Sequence, residues 1–197
     1  MKKKSTGKKD KTNNKPTIFW FDEITKNCLD IIDTKKKEYG SSVCKYRPSS
    51  ITDRILTKLS RIRSIQEKGV SLVDEEIEET LTHTINYVFF RIWRLEETKN
   101  VREINIIKIN KIVKEIKSIL EKKNHDYGES WRKMRISSIV DESIVKTCRI
   151  VAMEKMIKKN PKLKEKLNPK ILDSLFDITN YLVFALIHIK EGVDPMQ

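Results

Sequence analysis

Three oxygen-bearing side chains stand at helical spacing in the segment "DSLFDITN". Asp173, Asp177 and Asn180 fall at positions i, i+4 and i+7, which lie on one face of a helix. Hard divalent cations prefer oxygen ligands of this kind. The spacing therefore predicts a platform for Mg²⁺, which would polarise phosphoryl oxygens and activate water.

Cationic side chains with the same spacing stand in the helix predicted just before this segment. Lys146 and Arg149 follow Glu142 at i+4 and i+7. They would hold the phosphate oxygens of a substrate, or they would simply neutralise Asp173 and Asp177. An internal network of salt bridges and hydrogen bonds explains both stripes without a ligand, so both interpretations stay open.

An earlier part of the chain contains the same pair of cationic residues but different acidic residues. Lys58 and Arg61 repeat the cationic pair, and Glu75 and Glu79 are the candidate metal ligands that accompany them. His83 stands at the position of the second aspartate of "DSLFDITN", and neutral imidazole is a poorer Mg²⁺ ligand than a carboxylate. The acidic run "DEEIEE" also suits a helix N-terminus, where negative charge is favourable.

The segment "DYGESWRKMRISS" is the densest mixture of polar and aromatic residues in the chain. Asp126 would add a carboxylate to the metal site, and Arg135 would contact phosphates. Trp131 and Tyr127 would stack a nucleobase. Alternatively, the two aromatic side chains pack over helix ends with their polar tips hydrogen-bonded. For Tyr127 the packing interpretation is preferred.

The chain is an internal duplication. Residue n matches residue n + 88 over 35–62, with thirteen identities in 28 positions. The pairs include Tyr39 with Tyr127 and Gly40 with Gly128. Farther along, the offset becomes 94, where "NYVFF" lies on "NYLVF". A repeat of this kind constrains the fold more strongly than any single predicted element, because both copies must adopt the same structure.

Each copy reads as three helices, from the helical spacing of its apolar residues and from the glycines that end the first helices. The predicted ranges are about 22–38, 51–66 and 74–96 in the first copy, and about 101–126, 139–158 and 169–191 in the second. Ser50 and Ser138 are the predicted N-caps of the second helices, and Pro169 is a predicted first-turn residue.

The ends of both third helices are apolar almost all round, which predicts that they are buried between helices. Three helices alone make a thin core, so the two copies should pack together. We therefore expect an all-α helical bundle built from two tandem three-helix repeats, residues 17–98 and 99–197, related by a pseudo-twofold axis.

Composition narrows the classes of function. The formal net charge is +13, and residues 1–16 carry seven lysines against Asp10. Such a tail is predicted to be disordered. It would bind nucleic acid weakly through phosphates, although solubility explains it equally well. Three cysteines without paired spacing predict no disulfide framework and fit a cytoplasmic protein. The longest apolar run, "YLVFALIHI", is too short for a bilayer, so no membrane partner is expected.

Three motifs carry a family resemblance: "K-x-x-[DE]-Y-G", "S-S-I-x-D-x-x-x-x-K-x-x-R-I" and a closing "D-x-x-x-D-x-x-N-Y". Through them the chain resembles, over roughly 21–191, the family called nucleotide modification associated domain one, a domain of unknown function. Its closest likeness is to duplicated bacterial members. The resemblance implies a context of nucleotide or DNA-base metabolism.

The two copies depart from the family pattern at different places. In members the third helix looks like "D-E-S-x-x-D-T-L-x-D-x-x-N-Y"; the first copy departs from it at His83, and the second has Asn168, Pro169 and Lys170 at the acidic start. The acidic helices are also similar to those of MazG-like nucleoside triphosphate pyrophosphohydrolases, which implies Mg²⁺-dependent hydrolysis of a nucleotide.

Three functions follow as alternatives: Mg²⁺-dependent nucleotide binding or hydrolysis, nucleic-acid binding without catalysis, and a structural bundle without a ligand. For the first, the candidate catalytic residues are Asp173, Asp177 and Asp126. The candidate substrate-binding residues are Lys146, Arg149, Arg135, Trp131, Asn180, Lys58 and Arg61. The candidate metal ligands are Asp173, Asp177, Glu75 and Glu79. A homo-oligomer is compatible with each function. The differences between the copies favour the second as the site.

Overall fold

The described part of the protein is entirely helical. The structure is a computed structural model, and it describes residues 15–97 and 101–193, so nearly all of the lysine-rich tail lies outside the described residues. Within them there are six long helices and no strand: α1 (Thr17–Tyr39), α2 (Pro48–Lys68), α3 (Ile77–Glu96), α4 (Ile106–Tyr127), α5 (Ile136–Lys159) and α6 (Lys164–Glu191). Short 3-10 turns at Ser42–Lys45, Ser130–Lys133 and Pro161–Leu163 complete the chain. The all-α prediction is confirmed.

Helices of the two copies contact each other in corresponding pairs. α2 packs on α5 and α3 packs on α6, while in each copy the second helix packs on the third. α1 contacts α6, just as α4 contacts α3. The two copies therefore form one bundle, and exchanging the copies leaves this pattern of contacts unchanged. The pattern supports the pseudo-twofold axis, which itself stays a prediction.

The apolar end of α6 is buried on every side. Seven consecutive side chains, 182–188, are buried, because α1, α3, α4 and α5 all contact this helix. The predicted burial of this segment is confirmed. Among the described residues, Pro161–Glu191 is the one stretch long and apolar enough to cross a membrane, and 78% of its apolar window is buried inside the bundle. Core helices of soluble proteins meet the same test.

Glycine ends the first helix of each copy, as predicted. Gly40 follows α1 with φ of 64°, and Gly128 follows α4 with φ of 58°. Residues with a Cβ rarely adopt this backbone conformation, so glycine stops the helix at low cost. The amide of Gly128 donates to the carbonyl of Asn124 at 2.9 Å, which closes the last turn of α4.

Several predicted helix starts are wrong. Ser50 and Ser138 lie inside the first turns of α2 and α5, because these helices begin at Pro48 and Ile136. A proline at the first helical position is pre-set for helical φ, and this moves the start of α2 ahead of the serine. Pro169 lies inside α6, because that helix begins at Lys164 directly after a 3-10 turn.

The acidic run of the first copy straddles a helix start instead of lying within the helix. α3 begins at Ile77, so Asp74 and Glu75 precede it and Glu76 is its N-cap. Glu78 and Glu79 occupy the first turn of α3, where their charges face the positive end of the helix.

Candidate functional site

Each copy contains one cavity beside its Tyr-Gly helix end. The first cavity, of about 290 Å³, lies between α1, the turn after it, and α3. The second cavity, of about 300 Å³, lies between α4, the turn after it, and α6. Six positions carry the same residue type in both cavities: Lys35 and Lys123, Tyr39 and Tyr127, Ser42 and Ser130, Asn86 and Asn180, Tyr87 and Tyr181, and Phe90 and Phe184. The repeated motifs thus build two related cavities.

In the second cavity one carboxylate pairs with two lysines. Asp177 accepts a hydrogen bond from Lys146 Nζ at 2.7 Å and another from Lys123. Partial burial alone would raise the pKa of Asp177, but the two lysine hydrogen bonds outweigh it and hold this pKa below its ordinary value. The hydrogen bond to Asp177 also raises the pKa of Lys146.

In the first cavity the corresponding lysines face an imidazole. His83 occupies the position of Asp177 and lines the cavity together with Lys35 and Lys58. Burial lowers the pKa of His83, and the charges of Lys58 and Lys35 lower it further. His83 is therefore mostly neutral at pH 7, and it cannot neutralise the lysines as Asp177 does.

Lys58 takes its carboxylate from outside the cavity instead. Its Nζ lies 3.3 Å from Glu75 Oε1, and Arg61 donates to the backbone carbonyl of Glu75 at 2.8 Å. At the offset of 94 residues, the counterpart of Glu75 is Pro169. In each copy, therefore, one carboxylate pairs with the lysine of the second helix: Glu75 with Lys58 on α2, and Asp177 with Lys146 on α5. The two carboxylates come from positions that do not correspond in the repeat.

The two cavities consequently differ in charge. The first is lined by Lys35, Lys36 and Lys58 and by no carboxylate. The second is lined by Lys123 together with Asp177 and Glu129. A negatively charged ligand is therefore favoured in the first cavity and disfavoured in the second.

An asparagine in each cavity has a buried side-chain oxygen without a hydrogen-bond partner. Asn86 is 7% exposed and Asn180 is 4% exposed, and in both the Oδ1 atom is unpartnered among the described residues. Most buried polar atoms in proteins are hydrogen-bonded. The same unsatisfied atom at corresponding positions indicates a polar requirement shared by the two cavities.

The aromatic residues at the Tyr-Gly helix ends and at Trp131 have different environments. Tyr39 and Tyr127 are each 71% exposed, so the prediction that they pack over helix ends is wrong; they form open walls of the cavities. Trp131 is buried and stacks on Phe184, with ring centroids 4.4 Å apart and an interplanar angle of 4°. Arg132 lies 4.7 Å from the same indole centroid. The Trp131 face is thus covered in the described structure, which agrees with the packing alternative and not with a stacking platform.

The remaining predicted site residues do not line either cavity. Asp173, Arg135, Arg149 and Asp126 are exposed, and the carboxylate of Asp126 lies 3.1 Å from His125. Glu79 is half-exposed, with its Oε1 atom 3.9 Å from His83 Nε2.

The candidate metal ligands are not gathered in one place. Asp177 accepts hydrogen bonds from two lysines, and Glu75 is paired with Lys58 and Arg61. Within 15–97 and 101–193, no group of three or more His, Cys, Asp or Glu side chains could hold a metal ion. These donors do not fit Mg²⁺ as they stand.

The sequence interpretation missed the residues that make the cavities distinctive. Lys35 and Lys123 begin the repeated motif "K-x-x-[DE]-Y-G", four residues before its tyrosine, and both line a cavity. Residues four apart share a helix face, so this spacing already places each lysine beside its tyrosine. Tyr87 and Tyr181 follow the repeated asparagines and were equally visible as repeated residues.

The fold and the paired cavities define a two-copy, all-α bundle with one candidate ligand site per copy. The chain belongs to the family described as Nucleotide modification associated domain 1, whose model matches residues 35–95 and 123–189. The two matched segments begin 88 residues apart and end 94 residues apart, as the repeat in the sequence does. No match was found among curated proteins or among solved structures. The likeness to MazG-like enzymes stays a prediction.

Proposed function

We propose that the protein binds a nucleotide in the first cavity, with an anionic phosphate between Lys35 and Lys58. One observation carries the proposal: His83 stands where Asp177 neutralises the equivalent lysines of the second copy. In this proposal a phosphate oxygen of the ligand takes the place of the missing carboxylate. Charge-assisted hydrogen bonds from lysine to phosphate are stronger than bonds between neutral groups.

The walls of the first cavity suit the nucleobase of a nucleotide. Tyr39, Tyr87 and Phe90 supply aromatic surface for a nucleobase, and Asn86 supplies a buried amide for its polar edge. The volume of about 290 Å³ lies near the lower end of the range for small-molecule sites. A cavity of this size suits a mononucleotide better than a nucleic-acid chain.

The proposal reverses the preference that the sequence differences suggested. Asp177 had favoured the second copy because a carboxylate is the better metal ligand. In the structure that carboxylate is engaged by Lys123 and Lys146, while Lys35 has no carboxylate partner in the described residues. For a phosphate-bearing ligand, the first copy is the better site.

The test is isothermal calorimetry of the purified protein with deoxynucleoside triphosphates, with and without Mg²⁺. The substitution His83→Asp places a carboxylate in the first cavity, at the position that Asp177 occupies in the second. We expect it to weaken nucleotide binding by about tenfold or more, because the carboxylate competes for the lysines and repels phosphate. Asp177→His is the reciprocal variant, and it should leave the first site intact and add a second, weaker anion site.

Two results would overturn the proposal: no nucleotide binding by the unaltered protein, or equal affinity after His83→Asp in a variant that keeps its helical circular dichroism. The same samples test Mg²⁺-dependent hydrolysis. Release of pyrophosphate or phosphate would support the enzymatic alternative, and its absence alongside binding would limit the function to binding.

A further inference from the structure

The second cavity has an electrostatic environment that disfavours phosphate. Lys123 and Lys146 both donate to Asp177. Glu129 accepts hydrogen bonds from the Thr17 amide at 3.1 Å and from Arg132 Nε at 2.7 Å. Both lysines are thus already engaged by one carboxylate, and a phosphate here would have to compete with Asp177 and would also meet Glu129. An uncharged ligand avoids this repulsion.

Two buried polar atoms beside this cavity have no partner among the described residues. Trp131 is 6% exposed and its Nε1–H donor is unpartnered, while Asn180 is 4% exposed and its Oδ1 acceptor is unpartnered. Both residues line the second cavity. Buried donors and acceptors in folded proteins nearly always have partners, so a ligand with one acceptor and one donor would complete this pair.

The cavity walls are flat and aromatic. Tyr127 is exposed at the mouth, and Tyr181 and Phe184 lie on α6 with their ring centroids 6.4 Å apart in an edge-to-face arrangement. Phe184 covers the face of Trp131. The indole of Trp131 can therefore contact a ligand through its N–H group and not through the covered face. Tyr127 and Tyr181 are available to contact a planar ring of the ligand.

We propose that the second cavity binds an uncharged heterocycle of the nucleobase or nucleoside class, with Trp131 Nε1 donating to it and Asn180 Oδ1 accepting from it. Nucleobases carry both acceptors and N–H donors on their polar edges, and their faces stack on aromatic side chains. This site is distinct from the phosphate site proposed in the first cavity, because its lysine Lys123 is paired with Asp177, whereas Lys35 of the first cavity has no carboxylate partner among the described residues.

The experiment titrates the full-length protein with adenosine, cytidine, guanosine and thymidine by calorimetry and by saturation-transfer NMR. Trp131→Phe keeps an aromatic ring against Phe184 and removes the N–H donor. Asn180→Ala removes the acceptor. Each should weaken binding of the preferred nucleoside by about tenfold or more, because the ligand loses its buried partner. Asp30→Ala removes an exposed carboxylate on α1 that lines neither cavity, so it is the control and should leave nucleoside affinity unchanged.

Tyr127→Ala tests the same cavity with a variant that should fold normally, because this exposed side chain lines the cavity without belonging to the core. It should weaken nucleoside binding several-fold and leave the thermal melt unchanged. Adding a 5′-phosphate to the nucleoside should give no gain in affinity at this site when His83→Asp has disabled the first.

The proposal is overturned if no nucleoside binds, if binding survives both Trp131→Phe and Asn180→Ala, or if Asp30→Ala weakens it as much as they do. These results are separable from the test of the first cavity. Failure of nucleotides to bind there leaves nucleoside binding to the second cavity to be judged by its own variants.

Discussion

A single side chain sets the electrostatic difference between the two cavities. Asp177 engages two lysines in the second copy, while His83 leaves the equivalent lysines of the first copy without a carboxylate at that position. Both residues have shifted pKa values, to which burial and these same lysines contribute. Changes of pH therefore affect the copies differently, and the two effects can be measured separately.

Asp177 should contribute to stability above, but not far below, pH 4. Its pKa in the folded protein is held below the ordinary value of about 3.9, so the stabilisation is present above that value and is lost as pH falls through the folded pKa. We expect Asp177→Asn to cost about 1–3 kcal/mol at pH 7, because Lys123 and Lys146 lose the negative charge and one of the two acceptor oxygens.

Thermal unfolding of this variant between pH 7 and pH 2.5 checks the expectation. The difference from the unaltered protein should shrink as pH falls below about 4. Asp173→Asn is the matched control on the same helix, because Asp173 is exposed. A difference that stays constant over the whole range would contradict the assignment.

Nucleotide affinity at the first cavity should rise as pH falls. Burial and the charges of Lys58 and Lys35 lower the pKa of His83, while Glu79 and Glu75 raise it in smaller measure. A bound phosphate adds negative charge beside the imidazole and raises its pKa in the complex, so binding takes up a proton. The gain should appear as pH falls from about 7.5 toward 5.5.

Calorimetry in buffers of different ionisation enthalpy measures this proton uptake. His83→Gln should remove the part of the pH dependence that exceeds the titration of the ligand itself. Identical pH profiles for the two proteins would exclude a role for His83 in binding.

At the scale of elements, one buried cluster joins three helices across the boundary between copies. Arg91 on α3 is buried, and its guanidinium donates to Glu154 on α5 at 2.8 Å and to Thr52 on α2 at 3.0 Å. Thr52 also donates to Glu154 at 2.8 Å. The counterpart of Arg91 in the second copy is Ala185, so this cluster occurs on one side of the interface alone.

Glu154→Ala should destabilise the bundle by about 3 kcal/mol or more, because it leaves the charge of Arg91 buried without a carboxylate. Urea unfolding followed by circular dichroism measures the loss. Asp30→Ala is the control, since Asp30 and Lys26 form an exposed pair within α1 and its loss should change stability little. Similar midpoints for the two variants would contradict the assigned importance of the cluster.

At the scale of the whole molecule, the two copies depend on each other. α3 and α6 pack together at the interface, and α1 is tied to the second copy where Trp20 Nε1 donates to Glu191 at 2.9 Å and Lys117 pairs with Asp22 at 2.7 Å. Separating the copies would expose the apolar surfaces of α2, α3, α5 and α6 to water.

Residues 1–99 and 100–197, produced separately, should therefore fail to fold as monomers, and they should recover helical structure when mixed. Circular dichroism and size-exclusion chromatography check this expectation. Cooperative unfolding of either half as an isolated monomer would show that the copies are independent domains.

The positive charge of the lysine-rich tail leads to a prediction about nucleic-acid binding. Deleting residues 1–14 removes six lysines and leaves α1 and its contacts in place. If the chain binds nucleic acid through this tail, the deletion should lower the slope of log affinity against log salt by up to about five. Fluorescence anisotropy with a DNA duplex measures the slope. Unchanged binding would remove the main support for the nucleic-acid alternative.

The sequence by itself determined the all-α class, the duplication, the ends of α1 and α4 at glycine and the burial of the α6 segment. These features depend on local periodicity and on backbone preferences, which are written in neighbouring residues. The starts of α2 and α6 are less well determined, because a proline or a preceding 3-10 turn shifts them by a few residues.

Only the tertiary structure decided what the polar stripes do. The same pattern "D-x-x-x-D-x-x-N-Y" fits metal ligands and ion-pair partners equally, and the choice depended on lysines far away in the sequence: Lys123 and Lys146 reach Asp177 across 54 and 31 residues. Burial likewise decided against Trp131 as a stacking platform, because Phe184 on α6 covers its ring. Charge pairing and burial are properties of neighbours in space, and those neighbours are set by the packing of the whole bundle.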